Sequence, residues 1–321
     1  MLIKPVHATP MTTRSRVVLE IASELVADRN QRYNQAKVLL RVQGADDWPL
    51  ALFGSSTIEG VDAIAKREVA LAIINPSSAL TLAYRGKGIF DRPQPVRTIG
   101  VIPSYDHLVL AVRPDTGITS FEEIPNKRFP LKIAGRGQKD HWLHYMIDDV
   151  MKAAGFSRED VISWGGEYTQ EGLLPYPNGP KFADFVSGKC NAIFDEASNV
   201  WVDEAIEAGM TILPLAESTV QKLEVMGYRR AWLRQKEFPR LKQDLLTLDF
   251  SGWPIFVHED EDDELITRIC KALDDRKHLI PWQGEGPLPL HMMCRDTIDT
   301  PMDVPMHPAA EKFWIQRGYL P

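Results

Sequence analysis

Polar and charged side chains fall at the breaks between apolar runs, and a few of these breaks could do chemistry. Gly135-Arg136-Gly137-Gln138 follows an apolar run and precedes a helical pattern. A guanidinium at such a helix start can grip a carboxylate through two parallel hydrogen bonds. Asp195 and Glu196 close the run at 191–195 and could hold a ligand ammonium, which would make the bound molecule zwitterionic, an amino acid for example. Thr12, Thr13 and Arg14, then Ser55, Ser56 and Thr57, then Asn75, Ser77 and Ser78 stand at comparable breaks nearer the N-terminus. Helix starts beyond the carboxyl ends of strands offer free N–H groups and partial positive charge to a ligand. Tyr105, Trp164, Tyr168 and Trp253 fall near strand ends and could wall such a site. Each choice has a plainer reading: helix capping for the hydroxyls, core packing for the aromatics and a solvent-facing loop for Arg136.

Catalytic patterns are weaker. His141 and His144, with Asp140, are spaced as a metal pair on one helix and would suit a metal-assisted aromatic-acid decarboxylase, but no HExxH or third ligand accompanies them. The Gly135–Gly137 GxG lacks the third glycine of a dinucleotide loop and the GK[ST] of a phosphate loop. No GxSxG surrounds any serine, and Cys190 precedes a strand rather than opening a helix. Cys190, Cys270 and Cys294 form no CxxC and read as buried or indifferent thiols, with one disulfide and a leftover thiol as the alternative. No catalytic residue, metal or cofactor is therefore assigned, and binding without turnover is expected.

Thirty-seven basic and 44 acidic residues are interspersed, giving a net charge of −7, which argues against nucleic acid as a partner. No run of about 18 apolar residues exists, so no membrane insertion is expected. The first ten residues show no basic segment followed by an apolar one, which leaves a cytoplasmic chain or a removed leader as the alternatives.

The elements that must position these residues alternate. Strands are expected at 2–8, 37–43, 69–75, 96–102 and 107–113, with a helix from about Arg14 burying Val17, Val18, Ile21, Leu25 and Val26, and helices after Thr57 and Pro76. The rhythm restarts with strands at 131–134, 161–164, 191–195 and 210–215 and helices at 141–154, 180–187 and 198–208. Residues 217–242 read as two helical pieces, 245–257 as a return crossing, 259–279 as a helix opened by acidic residues, and 308–317 as a final helix docking on the first lobe. Glycine after Ala154 stops the helix there. The expected fold is α/β with two lobes, each a doubly wound mixed sheet flanked by helices: 1–109 and 251–321 form lobe 1 and 110–250 lobe 2. Two separately cored halves would face each other across a gap lined by helix starts.

Three passages carry a resemblance. GVDAIAKREVALAIINPSSALTLAYRGKGIF (60–90), HLVLAVRPDTGITSFEEI (107–124) and PMHPAAEKFWIQRGYL (305–320) resemble segments of the TAXI subgroup of TRAP-transporter solute receptors, within the type II periplasmic-binding-protein fold. The resemblance implies a clamshell that captures a small carboxylate or amino acid without altering it, TRAP membrane subunits as partners, and a periplasmic location. A ligand sensor on the same fold is a third reading. The chain departs from the pattern at Thr9–Arg14, which lacks the family's glycine-rich turn, and at Gly135–Gln138, where that pattern has Gly-Ser-Gly-Thr. A turn without glycine cannot form the same backbone nest, so the ligand need not be that of better-known relatives.

Overall fold

The computed structural model describes residues 10–27, 35–40, 50–54 and 57–321. The chain opens with α1 (Pro10–Val26), β1 (Ala36–Leu40), β2 (Leu50–Gly54), α2 (Glu59–Ala65), β3 (Leu71–Ile73), α3 (Ser77–Arg85) and β4 (Val96–Ile102). It continues through β5 (Val109–Val112), α4 (Glu123–Lys127), β6 (Lys132–Gly135), α5 (Trp142–Ala153), α6 (Arg158–Ser163), β7 (Glu167–Gln170), α7 (Pro180–Ser187), β8 (Ala192–Asp195), α8 (Ser198–Glu207) and β9 (Thr211–Ile212). After α9 (Glu217–Met226) and the hairpin β10 (Arg230–Leu233) and β11 (Leu245–Leu248), it closes with β12 (Trp253–His258), α10 (Asp263–Arg276), α11 (Leu290–Met293) and α12 (Pro308–Gln316).

Among the described residues there are two five-stranded sheets, ordered β1-β2-β3-β12-β4 and β7-β6-β8-β5-β9, with β10 and β11 as a separate ribbon. Both sheets are mixed. In the first, β2 and β3 are parallel while β12 runs antiparallel to β3 and β4; in the second, β6 is parallel to β7 and β8 while β5 is antiparallel to β8 and β9. The protein is thus an α/β chain of two mixed sheets flanked by helices. Strand β12 returns to the first sheet after the chain has built the second, within the return crossing expected at 245–257.

Each sheet has one face with its own core. Ile99, Ile255 and Val257 pack with Ile266 of α10 and Trp314 of α12, whose indole Nε1–H donates to the Ile99 carbonyl at 2.7 Å, so the final helix docks on the first sheet as expected. Val109, Ala111 and Ile193 pack with Phe185 of α7 and Trp201 of α8. The other faces do not form two separate cores. One hydrophobic cluster runs from Ile64, Leu82 and Phe256 to Met146, Ile147 and Phe194. Phe90, after α3, stacks on Trp142 of α5 with centroids 6.2 Å apart. The expectation of separately cored halves is corrected by this shared interior, to which apolar residues at the starts of α3 and α5 both contribute.

Several elements also differ. Residues 161–164 are not a strand but belong to α6 and its C-cap, because Ser157 and Asp160 close a capping box whose two reciprocal bonds fix a helix start and override the β-branched Val161 and Ile162. The edge strand β7 lies just beyond. Strand β2 stood unpredicted between two glycine and tryptophan breaks. Of the two helical pieces expected over 217–242 only α9 forms; Arg230–Leu233 is β10, paired with β11, and no helix follows before β11. Helix α1 begins at Pro10, a residue whose fixed φ suits a first helical position, so residues 12–14 lie inside it rather than in a turn before it. Its Val17, Val18, Ile21, Leu25 and Val26 are exposed, not buried. The expected strand 2–8 and residues 41–43 lie outside the described residues.

Two crossings connect the sheets and run antiparallel. The Leu108 amide donates to the Leu248 carbonyl (3.0 Å), that of Phe250 to Asp106 (3.0 Å) and that of Gly252 to Ser104 (2.8 Å). Gly252 sits at φ +75°, and a Cβ there would lie 2.4 Å from Ser77 Oγ and 2.7 Å from Pro301 Cδ. Gly117, at φ +62°, has nothing within 4 Å of the same position. Gly252→Ala should therefore lower unfolding stability by about 2–3 kcal/mol, and Gly117→Ala by about 1 kcal/mol from backbone strain alone; urea denaturation of both variants checks the ordering.

Candidate functional site

The first crossing places Asp106 where three backbone donors meet. Its carboxyl accepts from the amides of His107 (2.7 Å), Ala197 (2.7 Å) and Ser198 (2.9 Å). The last two open α8, and Ala197 is held at φ +60°, a left-handed conformation unusual for alanine. Ser251 on the second crossing accepts from the Asp106 amide (3.0 Å) and donates to its carbonyl (3.1 Å). The Ser251 carbonyl in turn accepts from the Ser77 amide at the start of α3 (3.1 Å). The two crossings are thereby pinned to one helix start on each sheet.

Arg136, in the turn after β6, lies between Asp195, the last residue of β8, and Glu196 just after it. Its Nε and Nη2 donate to Asp195 Oδ1 (3.2 and 2.7 Å), and Nη2 also donates to Glu196 Oε1. Lys181 of α7 donates to the Gly135 carbonyl (2.7 Å) and lies 3.5 Å from Asp195 Oδ2. All of these groups are buried or nearly so. Burial and the neighbouring Glu196 push Asp106 well above the usual carboxylate range, against the pull of the Ser198 and His107 amides. Burial opposes ionisation of Glu196, but Arg136 and the Asp106 hydrogen bond outweigh it and hold Glu196 low. Burial lowers Lys181 although Asp195 is beside it.

His141 caps α5: its Nδ1 accepts from the Leu143 amide, and the ring stacks on Phe250 of the second crossing with planes 7° apart. Its backbone bridges that of Thr57, tying the start of α5 to the segment before α2. Burial lowers His141 to about 4, with Arg136 adding to the effect. His107, bonded through Nδ1 to Ser198 Oγ (3.1 Å), is lowered by burial to about 4. Both ring nitrogens of His144 are engaged, with Tyr168 OH and the Gln138 carbonyl, so the His141/His144 pair has structural work in this fold.

On the first sheet, Ser77 Oγ and Ser78 Oγ at the start of α3 and Asn75 Oδ1 just before it are buried atoms without a hydrogen-bond partner. Ser77 and Ser78 are 3% and 5% exposed. Such atoms are rare, and each calls for an explanation.

The expected site residues therefore divide. Asn75, Ser77, Tyr105, Arg136, Asp195 and Glu196 lie on the crossings or on the helix starts beside them, and Gln138 contributes its carbonyl to His144. Tyr105 donates to Glu237 Oε2 (3.0 Å). Arg136 is not the solvent-facing arginine of the plain reading, and its fork is turned on two carboxylates of its own chain. Trp164 is a correction: it precedes β7, whose Glu167 pairs with Lys132, so it lies at the opposite end of the sheet from Arg136 and stacks on Phe156. Trp253 is another, since it shares the face of Ile255 and Val257 that packs under α10 and α12. Arg14 is exposed on α1. Ser55, Ser56 and the side chains of Thr12 and Thr13 lie outside the described residues. Thr57 is no N-cap; Ile58 holds that position without a side-chain bond. The sequence reading missed Asp106, His107, Lys181 and Ser251. Only the polar triplet Tyr105-Asp106-His107 between two apolar strands could have flagged any of them.

The arrangement is that of a two-sheet α/β protein with polar helix starts gathered at paired crossings. A family model described as the NMT1-like family matches residues 53–318, and the chain belongs to that family. Among solved structures it is similar to the alkanesulfonate-binding protein SsuA from Xanthomonas axonopodis pv. citri bound to MOPS, at 10% identity over 68% of this chain and 59% of that one, with a TM-score of 0.31. It is also similar to a TctC solute binding protein from Polaromonas, at 12% identity over 68% and 67% of the two chains and a TM-score of 0.34. A third is the periplasmic aliphatic sulphonate binding protein SsuA from Escherichia coli, at 13% identity over 67% and 56% and a TM-score of 0.31.

Two measurements follow. Replacing Arg136 by glutamine leaves Glu196 without its cation and Asp195 with Lys181 alone, and should cost about 3–5 kcal/mol in urea unfolding. His141 stays neutral in the folded chain down to about 4 against an ordinary 6.5, so the unfolded chain takes up the proton first and stability falls as pH drops through that interval. His141→Asn, which keeps a capping acceptor, should flatten the acid side of a melting-temperature profile.

Proposed function

We propose that the chain is a solute-binding receptor in which the first sheet, built from the N- and C-terminal parts, and the second sheet, built from about residues 110–250, close as two lobes on a small ligand. The observation that carries this reading is the set of unpartnered buried atoms Asn75 Oδ1, Ser77 Oγ and Ser78 Oγ at the start of α3. They await hydrogen bonds that a ligand would supply, beside the crossing about which the lobes would turn.

The two hydroxyls favour an oxyanion, and a carboxylate is the natural one, while Asn75 Oδ1 is an acceptor and calls for an O–H or N–H elsewhere on the same ligand. Two hydroxyls can donate, and the N-terminal end of α3 adds partial positive charge. The zwitterion reading has less support, because Asp195 and Glu196 are both engaged with Arg136 and leave no uncompensated acid for an ammonium. The resemblance of residues 60–90, 107–124 and 305–320 to TAXI receptors supports delivery of the ligand to a TRAP-type transporter and a periplasmic setting. Binding without turnover is the reading, since His141 and His144 are taken up by capping and hydrogen bonding.

A thermal-shift screen over aliphatic and aromatic carboxylates, sulfonates and amino acids should raise the melting temperature for a true ligand by mass action. Calorimetry on that ligand should then show Ser77→Ala and Ser78→Ala each weakening binding about tenfold, the loss of one hydrogen bond to a charged group. Chemical conversion of the ligand during the titration, or full affinity in both variants, would refute the reading.

A further inference from the structure

A cavity of about 190 Å³ lies where the two crossings meet the β10–β11 ribbon. Tyr105 and His107 of the first crossing, Asp249 of the second, Arg229 and Trp232 at the ribbon and Pro301 before α12 line it. Asp249 is the single acid among the described residues in that lining, and it is 7% exposed. Its backbone is held on two sides: the amide donates to the Arg229 carbonyl (3.0 Å), and the residue bridges His107 of the first crossing. The carboxyl therefore stays at the cavity wall.

Three arginines share the lining, yet each is turned on acids of its own. Arg229 donates to both oxygens of Asp303 (2.8 and 2.9 Å) and reaches Asp296 (2.8 Å). Arg230 meets Glu217 and Glu224, and Arg234 meets Asp244. His107 is neutral, held by burial at about 4. Tyr105 donates to Glu237, and Asp299 adds a further acid beside it. Among the described residues Asp249 is in no ion pair. A buried carboxylate without a cation is unfavourable, and either a proton or an entering cation relieves it.

The walls decide which cation. One carboxylate is too few oxygens for calcium or magnesium. The volume is below the roughly 300–1,000 Å³ of a usual ligand pocket, so the occupant has few heavy atoms. Aromatic faces attract organic cations, as the Arg234 guanidinium shows by lying 5.3 Å from the Trp232 ring centroid. We propose that this cavity is a second ligand site, taking a small primary ammonium whose N–H groups bond Asp249 and whose carbon body lies against Tyr105 and Trp232. An occupant touches both crossings and the ribbon, and so holds the three in one arrangement. The inference uses neither the solute at the start of α3 nor the two lobes.

Burial pushes Asp249 up to about 7, against the pull of Arg229. The carboxylate that receives the ammonium is therefore the minor form in mild acid and the major form in mild alkali. Ammonium binding strengthens as pH rises, by about tenfold from one unit below that value to one unit above it.

Thermal-shift titration of the full chain with ethylammonium chloride, against sodium chloride at equal ionic strength, reads occupancy through mass action. Ethylammonium should raise the melting temperature beyond sodium in mildly alkaline buffer, and its apparent affinity should be about tenfold weaker in mildly acidic buffer. Asp249→Asn keeps the side-chain shape and should reduce the ethylammonium response to that of sodium. Ile298→Lys, at the exposed rim of the cavity, brings a tethered ammonium to the carboxylate and should blunt the response with Asp249 intact. It carries the test alone if Asp249→Asn fails to fold. A response no larger than that of sodium, one that does not weaken in acid, or one that survives either folded variant would overturn the proposal.

Discussion

Placing Arg136 between Asp195 and Glu196, away from water, constrains everything around it. A buried guanidinium needs compensating charge, and the compensating acids need exact placement, so the turns after β6 and β8 must stay side by side. That adjacency requires the two parallel strands to be neighbours in the sheet, which they are. Lys181 then balances the second oxygen of Asp195, and Arg136 reaches on to Glu196. A chain of charged contacts thus runs from α7 to the turn after β8, whose next two amides bond Asp106 of the first crossing. Each member is tolerable in the interior only because of the next.

The crossings translate that rigidity to the other sheet. Their backbone ladder fixes one strand against the other, while side-chain bonds pin the pair to α8 through Asp106 and, through the Ser251 carbonyl, to α3. The starts of α3 and α8 are therefore referenced to the same few residues of the two crossings. Gly252 is part of this device, since its left-handed backbone brings the second crossing against Ser77 in a space that admits no Cβ.

Much of the fold was legible because it obeys period and punctuation. The apolar runs at 96–102, 107–113 and 191–195, the Pro-Ser-Ser start of α3 and the acidic start of α10 each follow a local rule. The failures are where a local signal competed with another: Ser157 and Asp160 turned a β-branched run into α6, and the four-residue strand β10 hid in a stretch that reads as helical. The candidate site was half legible. Residue type and break position pointed to Asn75, Ser77, Arg136, Asp195 and Glu196, but not to who pairs with whom. Lys181 and Asp106 are charged residues whose burial depends on contacts 14 and 91 residues away, which no window of sequence contains.

The shared interior bears on what closure can mean here. In a clamshell with two independent cores, opening exposes polar cleft walls and little else. In this chain the cluster containing Leu82, Phe256, Met146 and Phe194 passes from one sheet to the other, and Phe90 stacks on Trp142 across the seam. Parting the lobes widely would expose that aromatic pair, at an area cost of roughly 25 cal/mol per Å². Motion confined to the end of the seam at Thr57 and His141 would spare it. In the proposed receptor the apolar contact would then serve as a second pivot, leaving the polar helix starts, rather than the hydrophobic interior, as the surfaces that part first.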